Sequence, residues 1–323
     1  MEDFSGRIAV VTGGGSGIGR ALVQQLSAAG CHVATCDLDS HSLEETRHLS
    51  LADAPKGTEV SVHVCDVTDE TALQGFAEAA LKSHNTDHFN ILINNAGIAG
   101  GGSFIKDERE QWDKTFAVCW GGVYFGCRTF LPLLIKSDEG HVVNISSVNG
   151  FWACMSPRFA HTAYSAAKFA VKGFSEALMV DLQLNAPHVG LSVVMPGHIG
   201  TSIAINTRKM HNMTPPADMN AAEIEEVRKV WSRFEESAGQ LDDETIRQML
   251  ELQGENFRDN APTSAAQAAA IILEGVKNKQ WRILVGEDAR GMDAMVREEP
   301  ENAYTTDFFR RLQGKGIFNT TSL

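Results

Sequence analysis

The sequence predicts an α/β protein built on a doubly wound parallel sheet, and three observations carry that prediction. Short β-rich runs alternate with stretches of helical periodicity from residue 1 to about 200. A glycine-rich loop, "TGGGSGIG", separates the first strand from the first helix. A second strand follows that helix and ends in "CDLD".

The first strand is "RIAVVT", and the helix after the loop runs from about Gly17 to Ala29. Glycines there let the backbone turn tightly and let a pyrophosphate approach the positive end of the helix. The predicted phosphate cradle is Gly13, Ser16, Gly17, Ile18 and Gly19. Asp37 closes the second strand, "HVATCDL", eighteen positions after Gly19. A carboxylate there accepts hydrogen bonds from both ribose hydroxyls of NAD and would repel the 2′-phosphate of NADP. The other reading of Asp37 is a helix N-cap, a role that Asp39 and Ser40 also suit. NAD is therefore the expected cofactor.

The later strand candidates are "EVSVHVC", "FNILINN", "HVVNIS" and "LSVVMP", with "TDETALQGFAEAAL" opening a helix between the first two of these. After Pro196 the rhythm breaks, and a last strand, "WRILVG", comes only at 281–286. In the interval, about 202–260, "AAEIEEVRKVWSRF" and "DDETIRQMLEL" carry apolar residues at helical spacing and predict an inserted helical lid. A C-terminal extension covers about 287–323. Without a linker-like stretch or an internal repeat, residues 1–323 are expected to form a single domain.

At 323 residues and 43% hydrophobic content the chain can fill a large core. A net charge of −13 with scattered Lys and Arg argues against nucleic acid or an anionic membrane surface as partner. No stretch approaches the length of a membrane span, and "MEDFSGRIAVV" lacks the features of a secretion signal. Six cysteines without a CxxC pair are expected to be reduced thiols in the cytoplasm.

The loop has the form TGxxxGxG, with Thr12, Gly13, Gly17 and Gly19 at the defining positions. Downstream come "NNAG" at 94–97, Ser146 and Ser147, Tyr164-x-x-x-Lys168, and "PGHIGT" at 196–201. These five motifs, in this order across about residues 5–201, resemble the NAD-using short-chain dehydrogenase/reductase family, in a branch with a long C-terminal extension. The resemblance implies a dinucleotide-binding (Rossmann) fold, Asp66 and Val67 flanking the adenine, and Asn94, Ala96 and Gly97 lining the ribose and stabilising the sheet. It also implies that Ile199 and Thr201, after Pro196 and Gly197, meet the nicotinamide carboxamide. Asp66 on its own also suits a helix cap.

Tyr164 and Lys168 stand four apart, so on a helix they share a face. A tyrosine ionises near pH ~10, too high for a base at neutral pH, and a nearby cation lowers that value. Lys168 and an oxidised nicotinamide ring both supply positive charge. By the resemblance, Tyr164 exchanges the proton of an alcohol as hydride passes to the nicotinamide, Ser147 holds the substrate oxygen, and Lys168 also binds the nicotinamide ribose. The expected activity is interconversion of a secondary alcohol and a ketone. A nucleotide-sugar epimerase or dehydratase, whose first loop is usually GxxGxxG, and an NAD-binding regulatory protein without turnover are the alternatives.

Two features depart from the family pattern. Cys119, in "AVCWGGVYFG", stands where the family carries an asparagine whose main-chain carbonyl holds a water linking the lysine to solvent. Any residue can serve there if the backbone keeps its shape. Seventeen positions separate Ser147 from Tyr164, more than the usual gap. Phe151, Trp152, Met155 and Phe159 in this segment either wall a pocket for a large hydrophobic alcohol or pack beneath the inserted helices. Likewise Met210, Met213, Met219, Trp231 and Phe234 form either a pliable lid or an ordinary core stripe or subunit contact. Steroid, terpenoid and aryl alcohols fit this reading. The helices expected at about 110–136 and 162–185 resemble those through which the family forms homodimers and homotetramers.

Overall fold

The computed structural model describes residues 1–154, 160–233 and 235–317. Its first half alternates strand and helix: β1 (Ile8–Thr12), α1 (Gly17–Ala28), β2 (His32–Asp37), α2 (Ser40–Ala52), β3 (Val60–Val64), α3 (Glu70–Ser83) and β4 (Ile91–Asn94). Next come α4 (Arg109–Phe116), one π-helical turn (Ala117–Gly121), α5 (Gly122–Leu134), β5 (Gly140–Ile145), α6 (Thr162–Asn185) and β6 (Val189–Pro196). The short β7 (Ile199–Gly200) is followed by α7 (Ile203–Met210), α8 (Ala221–Ser232) and α9 (Asp243–Asp259). The short β8 (Thr263–Ser264), α10 (Ala265–Lys277), β9 (Arg282–Val285), α11 (Glu287–Glu298) and α12 (Thr306–Gly314) complete the described chain.

Seven strands pair in the order β3-β2-β1-β4-β5-β6-β9, every pair parallel, as the sequence predicts. The order reverses between β1 and β4, and a crevice opens at such a switch point beyond the carboxyl ends of the strands. Parallel strands are covered on both faces, which explains their unbroken apolar runs. Val11, Leu22, Leu26, Ile93, Val194 and Ile272 fill one layer under α1 and α10. Val10, Leu73, Phe76, Leu92, Phe130 and Leu182 fill the other under α3, α5 and α6. Each such side chain contributes roughly 1.5–3 kcal/mol when fully buried.

The continuous helical run Arg109–Leu134 is 26 residues long and apolar enough to cross a membrane by length and composition. The expectation that no segment reaches span length therefore does not hold for it. Its apolar residues Val118, Val123, Cys127, Phe130 and Leu134 are buried in the layer beneath the sheet, which accounts for that composition.

The inserted region has a small core of its own, in which Met219, Ile224 and Ile246 are buried with Val227, Trp231 and Leu241 around them. Met219 and Trp231 thus hold α8 and α9 together rather than lining a cleft. Met210 packs against the body of the fold, and Met213 is exposed. Phe234 lies outside the described residues.

Trp152 and Phe151 take the packing role of the two the sequence left open, but against the C-terminal extension and not beneath the inserted helices. Trp152 is fully buried among Phe308, Phe309, Met292 and Leu312 of the C-terminal extension, and its Nε1 donates to the Ala303 carbonyl at 2.8 Å. Phe151 packs on the same cluster with the Arg282 guanidinium 5.7 Å from its ring centroid. Apolar surface on α11 and α12 needed burial, and these two rings supplied its complement. Met155 and Phe159 lie outside the described residues.

Candidate active site

The glycine loop is shaped by steric exclusion. Gly13 has φ +69°, and a Cβ there would stand 2.8 Å from the Ala96 Cα. A Cβ on Gly19 would meet the Gly13 carbonyl oxygen at 2.0 Å, so only glycine lets α1 start this close to the loop. Ser16, at the N-cap of α1, makes no side-chain cap bond, and the first turn carries no acidic residue. The first N–H groups of this helix therefore remain open to an anion, and the cradle fits a pyrophosphate.

Asp37 is not a helix cap, because Asp39 caps α2 by accepting from the His41 and Ser42 amides. The Asp37 carboxylate instead accepts from the Gly15 amide at 3.0 Å and from the Leu38 amide at 2.7 Å. It is thereby fixed beside the phosphate loop, where a ribose would lie. Asp66 is likewise no cap: it accepts from the amide and hydroxyl of Thr68, while Asp69 caps α3. Asp66 lines a surface hollow with Lys114, Val118 and Met210, and the buried Val67 packs where a Cβ on Gly122 would strike it.

"NNAG" divides its work in a way the sequence did not indicate. The Asn94 side chain points under the sheet, donating to Asn144 Oδ1 at 2.9 Å and lying against Gly126 of α5. It braces β4 against β5 and does not line the crevice, which corrects the ribose-lining expectation for its side chain. Asn95 ties the switch point together, its Nδ2 donating to the Thr12 and Gly13 carbonyls at 3.0 and 3.1 Å. Thr12 Oγ1 accepts from the Asn95 and Ala96 amides in return. Gly97 lies against Lys168: a Cβ there would be 3.6 Å from Lys168 Nζ.

Beyond β6, the buried Ile199 belongs to the core under α1, so its side chain anchors the Pro196–Thr201 loop instead of projecting from it. Asp288 accepts from the His198 amide at 2.6 Å and fills the space beside Gly197. Thr201 faces Gly17, its Cγ2 3.2 Å from where a Cβ would sit. Asn206 of α7 donates to Ser16 Oγ at 3.4 Å, so the inserted region closes directly over the phosphate loop. Arg20 clamps that loop from below, donating to the Gly15 carbonyl and to Glu45, both at 2.6 Å. No sequence pattern distinguishes Asn206, Asp288 or Arg20 from ordinary polar residues.

Ser147, Tyr164 and Lys168 come together as expected. Ser147 follows β5 and accepts from the Asn149 amide at 3.1 Å, which fixes its hydroxyl, and that hydroxyl hydrogen-bonds the Tyr164 phenol. Lys168 is 3% exposed, donates to the Ile145 carbonyl at 2.9 Å, and lies 5.4 Å from the Tyr164 ring centroid. The π-helical turn encloses Cys119, whose thiol donates to the Ile98 carbonyl at 3.1 Å. A π turn displaces a backbone carbonyl from its usual helical partner.

The Tyr164 phenol is under opposing influences. Burial pushes its pKa above the ordinary tyrosine value, the Lys168 charge and the Ser147 hydrogen bond pull it down, and the Cys119 thiol adds a small upward push. Burial dominates in the chain by itself, so one lysine does not make this phenol acidic.

His161 is a neighbour that sequence reasoning missed. Its ring stacks on Tyr164 with centroids 4.8 Å apart and planes 24° from parallel, and burial lowers its pKa to about 4. His141, bonded to Ser192 Oγ at 2.8 Å, is held at about 4 by the same cause. Both are neutral when folded and take up a proton more readily when unfolded, so stability is full above pH ~6.5 and falls as pH drops toward ~4. Urea unfolding midpoints are expected to fall between pH 7 and 5, each histidine withdrawing on the order of 1–3 kcal/mol by the acid end of that window. Replacing His141 by Gln flattens the profile; an unchanged profile would contradict the assignment.

Comparison with known proteins agrees with this geometry. The short chain dehydrogenase family model matches residues 7–212. The chain is 34% identical over 297 residues, 92% of each chain, to the Mycobacterium tuberculosis protein named as oxidoreductase SadH. It is 33% identical over 180 residues, 56% of each chain, to human epidermal retinol dehydrogenase 2. A short-chain dehydrogenase/reductase from Burkholderia phymatum, solved in complex with NAD, superposes with a TM-score of 0.72 at 26% identity, over 94% of this chain and 95% of that one. Solved relatives hold NAD in that case and NADP in another. The match across the glycine loop, the serine strand and the tyrosine helix is that of a common ancestry, and the chain belongs to the short-chain dehydrogenase/reductase family of oxidoreductases.

Proposed function

We propose that the protein is an NAD-dependent dehydrogenase or reductase that interconverts a bulky hydrophobic secondary alcohol and its ketone. The observation that carries this reading is the Ser147–Tyr164–Lys168 cluster, set against Gly97 beside a phosphate cradle with open helix N–H groups. The bound nicotinamide supplies the hydride acceptor and, when oxidised, a positive charge.

The chain's own residues do the rest. Ser147 and Tyr164 bind the substrate oxygen from one side, Tyr164 takes or returns its proton, and Lys168 draws the phenol toward its ionised form. Burial opposes that ionisation, and the charge of Lys168 counters it. Neutral His161 supports the phenol ring without adding a competing charge.

An open hollow lined by Cys154, His161, Phe169, Tyr304 and Phe309 is linked to this cluster through His161, whose ring stacks on Tyr164, and its apolar walls suit a large hydrophobic substrate. The likeness to a retinol dehydrogenase agrees with that class. Exposed Tyr124, Phe169, Val180 and Leu184 on α5 and α6 favour a homo-oligomer through these helices, and six free cysteines suit the reducing cytoplasm.

NADH formation with a panel of secondary alcohols tests the reading, with NADP as the parallel cofactor. Asp37→Ala removes a charge-assisted contact worth about 1.5–3 kcal/mol, so KM for NAD is expected to rise roughly ten- to hundredfold while NADP use improves. An equal preference for both cofactors before and after the change would refute the role of Asp37. Absence of turnover with every alcohol and ketone would favour a regulatory nucleotide-binding protein.

A further inference from the structure

We propose that His84, Glu59 and His32 form a site for a divalent cation of the zinc class at the β2–β3 edge of the sheet. His32 opens β2, Glu59 immediately precedes β3, and His84 caps the carboxyl end of α3. The cluster is at the opposite end of the strands from the glycine loop, so it is separate from the dinucleotide crevice.

His84 is the anomaly that points to a ligand. Its side chain is 1% exposed, yet Nδ1 has no hydrogen-bond partner and stands 3.7 Å from Glu59 Oε2, too far to bond. The other nitrogen, Nε2, meets Ser61 Oγ at 2.9 Å, and the same oxygen meets His63 Nε2 at 3.0 Å. A serine has one proton to give. When Ser61 donates to His63, His84 keeps its proton on Nε2 and turns a bare Nδ1 lone pair toward the Glu59 carboxylate.

The Nδ1 lone pair is shut off from water while the carboxylate it faces is open to solvent, so a cation that arrives at Glu59 meets a ready second donor. A metal ion takes the neutral ring through its Nδ1 lone pair. Ser61 then serves as the outer partner that fixes the tautomer.

His32 is the third donor. One ligand atom from each of His32, Glu59 and His84 lies within 4.8 Å of the other two. Bonds of roughly 2.0–2.2 Å in a tetrahedral site demand closer donors, so the group must contract by about an ångström. The exposed Glu59 side chain can move in, and His32 must release the Glu59 amide that its Nδ1 now accepts at 3.2 Å. Two imidazoles and one carboxylate suit zinc, copper(II) or nickel, not calcium or magnesium.

The test uses the full chain, stripped with chelator and then titrated with zinc. One equivalent is expected to bind by calorimetry and to raise the melting midpoint, with EDTA reversing the rise; cobalt(II) is expected to give the visible absorption of a tetrahedral site. Glu59→Gln leaves the buried imidazole in place and is expected to weaken binding about tenfold or more, with alcohol-dependent NADH formation unchanged. His84→Ala is expected to abolish it, and should that variant not fold, the Glu59→Gln comparison decides alone. No zinc-dependent shift, or equal shifts in wild type and Glu59→Gln, overturns the site and reduces the binding to adventitious surface contact.

Discussion

Tyr164→Phe is expected to lower turnover by about 10²–10⁴-fold, the contribution of positioned acid–base catalysis, which corresponds to roughly 3–5 kcal/mol of barrier. The change removes one hydroxyl and keeps the ring, so the stack with His161 survives and the protein folds as before. NAD affinity should move little, since the phosphate cradle and Asp37 are untouched. Tyr164 is half-buried, its phenol hydrogen-bonded to Ser147 and next to Lys168. Steady-state rates with the best alcohol of the panel, together with NAD binding by fluorescence, separate loss of chemistry from loss of binding. An unchanged rate would remove Tyr164 from the reaction, and the proposed mechanism with it.

Trp152→Ala is expected to cost about 3–5 kcal/mol of stability, the range for deleting a large buried aromatic. The side chain is fully buried, contacts Phe308 and Phe309 at ring separations of 6.1 and 5.2 Å, and satisfies the Ala303 carbonyl. Its loss leaves both a cavity and an unpaired acceptor. It also loosens the turn after Ser147, because Asn149, whose amide fixes the Ser147 hydroxyl, donates through its side chain to the Trp152 carbonyl at 3.1 Å. Chemical denaturation measures the first effect, and a fall in turnover below the melting range measures the second. A variant as stable as the parent would mean that the C-terminal helices do not brace the serine turn.

The strands and most helices were legible because their signals are local. A buried parallel strand must be apolar throughout, and an interrupted run such as "RIAVVT…HVATCDL" has few other uses. Helix geometry puts Tyr164 and Lys168 on one face, but it was their place between "NISS" and "PG" that made the pair legible as a candidate site. The Asn94 side chain was misplaced because its direction depends on Gly126 and Asn144, which are 32 and 50 positions away. Phe151 and Trp152 were left undecided because an apolar ring in such a segment looks the same whether it walls a pocket or enters a core.

The sequence by itself determined the succession of strands and helices and the glycine cradle, which follow from spacing within a few residues, and the resemblance of its five motifs to a known family singled out Ser147, Tyr164 and Lys168 as candidates. Only the tertiary structure decided what lies around them: the burial that raises the Tyr164 pKa, the helix α7 over the phosphate loop, and the C-terminal cluster behind Ser147. The reason is physical. Desolvation and packing depend on which distant segments exclude water from a group, and pairwise sequence spacing holds no record of that exclusion.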